Sequence, residues 1–105
     1  NEKEKDIFDL DPEMPNEAYA YAQRQYLAIK RFLENGGYDA FTLHFETLGE
    51  DGRFESLPFL AASKLLADGY GYAAEGDALC SCGVFASSLI ANDASFSEMY
   101  ALDYK

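Results

Sequence analysis

The sequence predicts a parallel, three-layer α/β arrangement with a small sheet. Three observations lead to it. Segments with helical apolar spacing alternate with short β-prone runs, the pattern of strands joined by right-handed crossovers. An apolar fraction of 49% with 15% aromatics supplies a packed core and excludes a disordered chain. At 105 residues the chain makes at most one domain with one modest core.

The elements follow in order. Residues 1–15, NEKEKDIFDLDPEMP, are charged and punctuated by Pro12 and Pro15, so they form an irregular lead-in with an apolar anchor at Ile7, Phe8 and Leu10. Residues 16–105 make up the α/β segment. Asn16 suits the N-cap of a first helix, with Glu17 favourable to the helix dipole. Tyr19, Ala22, Tyr26, Ile29 and Leu33 recur at helical spacing until Gly36 and Gly37 stop the run. Tyr38 to Phe45, YDAFTLHF, is short, aromatic and β-prone and predicts the first strand. The polar ETLGEDGRFES after it predicts a loop. Pro58 suits the first turn of a second helix carrying Leu60, Ala61, Lys64, Leu65 and Leu66, closed by Gly69. Tyr70 to Ala74 predicts the second strand. Asp77 can cap a third helix through Leu79, Val84, Phe85, Leu89 and Ile90, ended by Ala91-Asn92-Asp93. The last stretch, SFSEMYALDY, alternates like a strand.

Charge and composition exclude several function classes. Nineteen acidic against eight basic side chains give a net charge of -11, which opposes nucleic acid and anionic membrane as partners. No run reaches the roughly 20 apolar residues of a membrane span, and no signal peptide is evident. Cys80 and Cys82, two apart on a helix, point to nearly opposite sides and are poorly placed to bridge or to share a metal. They read as inert small helix residues in a reducing cytoplasm. The chain opens at Asn1 and closes at Lys105 directly after an apolar stretch, so the expectation is a piece of a larger protein.

Gly69-Tyr-Gly-Tyr-Ala-Ala-Glu-Gly-Asp77 superficially matches the G-x-G-x-x-A dinucleotide fingerprint. That fingerprint follows a strand and opens a helix, whereas here a helix precedes the glycines and a strand runs through them. Gly69 is better explained as a helix cap and Gly71 as a close-packing strand residue. Glu75 then stands at the carboxyl end of a buried strand, where open α/β sheets present functional groups. Position alone also admits a solvated turn carboxylate. Glu98 shares one strand face with Phe96, Tyr100, Leu102 and Tyr104, where a buried carboxylate needs a cation, a hydrogen-bond network or a raised pKa. A partly exposed edge strand removes that need. If the two strands are parallel neighbours, Glu75 and Glu98 can converge into a hard oxygen site for Mg²⁺ or Mn²⁺, or into a general acid/base pair. His44, between Leu43 and Phe45 near a strand end, reads as a hydrogen-bonded structural residue. No nucleophile elbow and no P-loop is present.

GYDAFTLHFETL, LPFLAASKLLADGYGYAAEGD and SFSEMYALDY, in this order and spacing, resemble the central part of bacterial L-arabinose isomerases. The resemblance runs from about Glu17 to Tyr104. It implies a Rossmann-like region of a longer multidomain, cytoplasmic, homo-oligomeric enzyme that converts an aldose to its ketose with a divalent cation, usually Mn²⁺. Glu75 matches the glutamate of the family's G-Y-G-x-x-x-E-G-D run, and Glu98 that of its S-F-x-E motif. Both residues are thereby implied to be metal ligands and to take part in proton transfer. The family completes its metal site with two histidines downstream of the matching segment, which implies that this segment alone is inactive. Three departures stand out. Ala78-Leu79 replace the usual Trp-Lys, Met99-Tyr100 the usual Asp-Tyr, and Thr47 with Gly49-Glu50 the usual Asp and His-Gly. They point to a divergent branch acting on another pentose or hexose as one alternative. A non-catalytic α/β module for assembly or sugar binding is the other.

Overall fold

The computed structural model describes residues 11–50, 52, 54–98 and 103. In order they form α1 (Asn16–Gly36), β1 (Ala40–Leu43), α2 (Phe45–Glu50), α3 (Phe59–Ala67), β2 (Gly71–Ala74) and α4 (Ala78–Ala91). Chain and elements are mixed α/β, and the sheet of the described residues has two strands, β1 beside β2, in parallel. The apolar anchor expected at Ile7, Phe8 and Leu10 lies outside the described residues.

α1 begins one residue earlier than the capping pattern predicts. Pro15, extended at φ -60° and ψ 134°, holds the N-cap position without a side-chain cap, and Asn16 is already helical. The Pro15 carbonyl accepts from Ala18 N–H at 3.1 Å, and proline gives up no N–H by standing there. Gly37 caps the other end, where Tyr38 N–H returns to the Leu33 carbonyl at 2.9 Å. The expected stripe Tyr19, Ala22, Tyr26, Ile29 and Leu33 is half-buried or buried throughout, so the 3.6-residue period does select the inward face.

α1 packs on α3. The joint is tied by a polar clasp. Asp68 accepts from Tyr26 Oη at 2.6 Å and from Lys30 Nζ at 2.8 Å, and Lys64 Nζ donates to Gln23 Oε1 at 2.7 Å while lying 3.9 Å from the centre of the Tyr26 ring. Beneath the clasp lie Leu33, Ala61, Ala62 and Leu65, all essentially sealed from solvent.

Pro58 serves as the N-cap of α3, not as its first helical residue, and its carbonyl accepts from Ala62 N–H at 2.9 Å. Gly69 closes α3 as expected. Its φ of 96° lies where L side chains are strained, and Tyr70 N–H reaches back to the Leu65 carbonyl at 3.0 Å.

β2 then pairs with β1 in the register Ala40 with Gly71, Phe41 with Tyr72, Thr42 with Ala73 and Leu43 with Ala74. α4 contacts both strands. Gly71 permits that approach, because a Cβ there would stand 2.7 Å from Phe85 Cβ and 2.9 Å from Ala40 Cβ and would collide with the Ser81 carbonyl. Tyr72 points to the other face, where its ring lies 5.0 Å from that of Phe41. Asp77 caps α4 as expected, its Oδ1 accepting from Cys80 N–H at 2.8 Å, and Asn92 ends the helix at φ 63°.

Three further expectations need correction. The loop predicted after Phe45 contains α2, held at its start by Leu48 N–H on the His44 carbonyl at 3.2 Å; at 6 residues it is too short to show a helical period. Among the apolar residues assigned to α4, Val84 and Phe85 turn inward, but Leu79, Leu89 and Ile90 are exposed, because this helix is apolar on nearly every side. The third strand is absent from residues 93–98, which are irregular. Phe96 docks there through its side chain, edge-on to Tyr72 at 6.2 Å, in place of backbone pairing. Met99 to Leu102 and Tyr104 lie outside the described residues.

Candidate functional site

In-register parallel strands end on one line, so the residues that follow Leu43 and Ala74 meet at the same edge of the sheet. These are His44 and Glu75. With Phe45 and Glu46 they line a cavity of about 160 Å³. It is smaller than the roughly 300–1,000 Å³ of a complete small-molecule pocket, and so amounts to one wall of such a site. The carboxyl edge of a parallel sheet is where α/β proteins bind ligands, because strand ends and loops converge there.

Glu75 is exposed and stands at φ 61°. A side-chain-bearing residue in the left-handed region costs about 1–2 kcal/mol, and such strain gathers where geometry serves function. The backbone stays left-handed through Gly76 at φ 78°, then Asp77 opens α4. The turn thus lifts the Glu75 carboxylate out of the strand and onto the cavity.

Glu98 is exposed, so the anticipated burial of its carboxylate does not occur within the described residues. Its segment is pinned against β2 by the contact of Phe96 with Tyr72. Its charge is felt by two groups. Burial first, and the negative charge of Glu98 second, push the Tyr72 hydroxyl above its usual pKa. The hydrogen bond with Asp77 first, then desolvation and the charges of Asp77 and Glu98, raise the Cys80 thiol. A raised thiol pKa disfavours the thiolate, so Cys80 is poorly suited to act as a nucleophile. Both cysteines are free and exposed. Glu98 therefore stands by β2 and the first turn of α4, but it does not line the cavity that Glu75 lines.

His44 is hydrogen-bonded as expected, its Nδ1 standing 3.1 Å from Thr47 Oγ1. Its place in the cavity beside Glu75 is an addition that single-sequence reading missed, and so is that of Glu46. The missing signal is non-local: only the strand register brings residues 44 and 75 together. Among the described residues no group of three or more His, Cys, Asp or Glu side chains is arranged to hold a metal ion. The donor set fits part of such a site, since the cavity-lining carboxylates of Glu75 and Glu46 offer hard oxygen ligands.

Fold and site together define a parallel α/β segment that presents carboxylates at the carboxyl edge of its sheet. The sequence model of the L-arabinose isomerase central domain matches residues 5–92. The L-arabinose isomerase of Levilactobacillus brevis is 44% identical over 99 residues, covering 92% of this chain and 20% of that protein. The enzyme of the same name from Leuconostoc mesenteroides is 42% identical over 87 residues, covering 81% of this chain and 18% of that protein. That of Lactiplantibacillus plantarum is 60% identical over 53 residues, or 50% of this chain and 10% of that protein. The chain belongs to the L-arabinose isomerase central-domain family and spans about a fifth of the length of the Levilactobacillus relative, which it matches along most of its own length.

Proposed function

We propose that this chain is the central-domain segment of a metal-dependent aldose–ketose isomerase that converts L-arabinose to L-ribulose in arabinose catabolism, and that Glu75 and Glu98 are its ligands and proton-transfer groups. The observation that carries the reading is Glu75, held left-handed at the carboxyl edge of the sheet and lining the cavity. Membership of the family supports the substrate class.

Aldose–ketose interconversion moves one hydrogen between the first two carbons of the open-chain sugar and one proton between their oxygens. A carboxylate fixed beside those atoms can take and return the proton. For Glu75 the reading is supported by its left-handed turn and its place in the cavity, and for Glu98 by the docking of Phe96 on Tyr72, which keeps its segment against β2. The divalent cation, which we take to be Mn²⁺, supplies a Lewis acid and a template for the sugar oxygens when bound. The remaining ligands belong to the rest of the parent polypeptide, and the segment alone is inactive. In the parent, further strands extend the two-stranded sheet into a Rossmann-like three-layer arrangement, within a cytoplasmic homo-oligomer.

Another pentose or hexose is the second reading. It is favoured by the first turn of α4, which places Ala78 and Leu79 directly after Asp77 where the resemblance implies Trp-Lys. The full-length protein, loaded with Mn²⁺ and assayed over a panel of aldoses, separates the two. L-Arabinose should have the highest kcat/KM, and Glu75→Gln and Glu98→Gln should each lower kcat by about 10²–10⁴-fold. Full activity in either variant refutes its role, and no turnover of any aldose by the wild type refutes the function.

A further inference from the structure

The ring nitrogens of His44 are not equivalent. Nδ1 is taken by Thr47 Oγ1 at 3.1 Å, one helical turn along α2, and Thr47 is the hydrogen-bond partner of His44 among the described residues. Cδ2, the carbon bonded to Nε2, lies 3.5 Å from the point a Cβ on Gly76 would occupy. The Cδ2–Nε2 edge of the ring, away from Nδ1, is thus the edge nearer the Glu75–Gly76 turn, and His44 and Glu75 line one cavity. His44 is also an exposed residue, and its bond to Thr47 engages Nδ1 and not Nε2.

Resting on the isomerase reading above, we propose that His44, held by Thr47, is the residue that orients the sugar in this cavity: Nε2 shares a hydrogen bond with a hydroxyl of the open-chain aldose on which Glu75 acts. The bond with Thr47 holds the ring and ties the role of Nε2 to that of Nδ1. When the threonine hydroxyl donates to Nδ1, Nε2 carries the proton and donates; when Nδ1 donates, Nε2 accepts. A sugar hydroxyl can satisfy either. His44 is a positioning residue and not a ligand of the cation, which separates its effects from those of Glu75.

The test uses the full-length protein with Mn²⁺ and compares His44→Leu, His44→Gln, Thr47→Val and Thr47→Ser. Loss of one substrate hydrogen bond in His44→Leu should raise KM about tenfold while kcat stays within about threefold. His44→Gln, whose amide can reach the same place, should keep KM within about threefold of wild type. Thr47→Val should raise KM about threefold, and Thr47→Ser should restore it. Mn²⁺ affinity, measured by calorimetry, should be equal in all five proteins. A KM within about twofold of wild type in His44→Leu overturns the proposal, and so does a parallel loss of Mn²⁺ affinity. Should His44→Leu fail to fold, the pair Thr47→Val and Thr47→Ser decides: a KM that does not move in the first overturns the proposal. Calorimetric binding of a pentitol, an unreactive open-chain analogue, separates failure of this inference from failure of the function. A wild type that binds pentitol but isomerises no aldose refutes the function alone, and His44→Leu must then weaken pentitol binding about tenfold for the inference to stand. A wild type that binds neither refutes both.

Discussion

Glu75 joins two facts at one backbone position, since the residue that lines the cavity is also one that pays for being there with a φ of 61°. Glycine occupies that region without the steric cost, though it adds entropy to the unfolded chain. Glu75→Gly should therefore be as stable as wild type or up to about 1 kcal/mol more stable, while in the full-length protein it should lose the proposed isomerase activity. Glu75→Gln keeps the strain and loses only the charge, so its stability should stay within about 0.5 kcal/mol of wild type. Urea unfolding midpoints at unchanged slope check both variants, and a destabilised Glu75→Gly sinks the claim that the turn is strained. The position of this residue was legible before the fold was known, because an apolar β-prone run followed by Glu-Gly-Asp puts a carboxylate at a strand end. Its φ was not legible. The glycine beside it hinted at a left-handed turn, but nothing local showed that the glutamate would share it.

At the scale of elements, the helices were readable where their stops are chemical. Gly37, Gly69, Asp77 and Asn92 each act through their own backbone geometry or one short hydrogen bond. The six-residue α2 and the irregular residues 93–98 were not readable, because short segments are decided by what they dock on. The α1–α3 clasp is a further non-local feature, and it makes a pH prediction. Burial pushes Asp68 up, but the hydrogen bonds from Lys30 and Tyr26 outweigh it and hold the carboxyl below its ordinary value. Lys30 is raised, chiefly by its bond to Asp68 and then by that to Tyr26. A depressed folded-state pKa contributes stability that is present above the unfolded value of roughly 4 and is lost as pH falls through the folded value. The raised Lys30 contributes below roughly pH 10.4 and loses its share as pH climbs beyond that. Asp68→Asn should thus cost about 1 kcal/mol near pH 7, a figure kept small because the pair is partly solvated, and the difference from wild type should narrow as pH falls from roughly 4 toward the lowered folded value. Urea midpoints measured from pH 3 to pH 8 test this, and a gap that stays constant across the range shows that the charge is not the cause. Gly71→Val tests the joint between sheet and α4. The added atoms meet the Ser81 carbonyl and Phe85, so a loss of about 2–3 kcal/mol is expected, and a loss under about 0.5 kcal/mol would show that α4 can move away freely.

For the whole molecule, charge and apolar exposure act in opposite directions. A net charge of -11 keeps copies apart, whereas α4 shows water Leu79 at 85%, Leu89 at 69% and Ile90 at 86% exposure. Helical spacing puts Leu79 and Ile90 on the same side at opposite ends of α4. Large apolar side chains this exposed at both ends of one helix offer surface for association. The chain matches 20% of the Levilactobacillus relative, so that protein has further polypeptide to cover the matching face. Alone, the chain should stay dispersed while its charges repel and associate once salt shortens their reach to roughly 3 Å near 1 M. Sedimentation velocity between 0.05 M and 1 M NaCl should then show mass rising with salt and concentration, and Leu89→Glu with Ile90→Lys, which leaves the net charge unchanged, should abolish the rise. If the double variant associates as readily as wild type, the contact lies elsewhere, and the edges of the sheet, two-stranded among the described residues, become the surface to test.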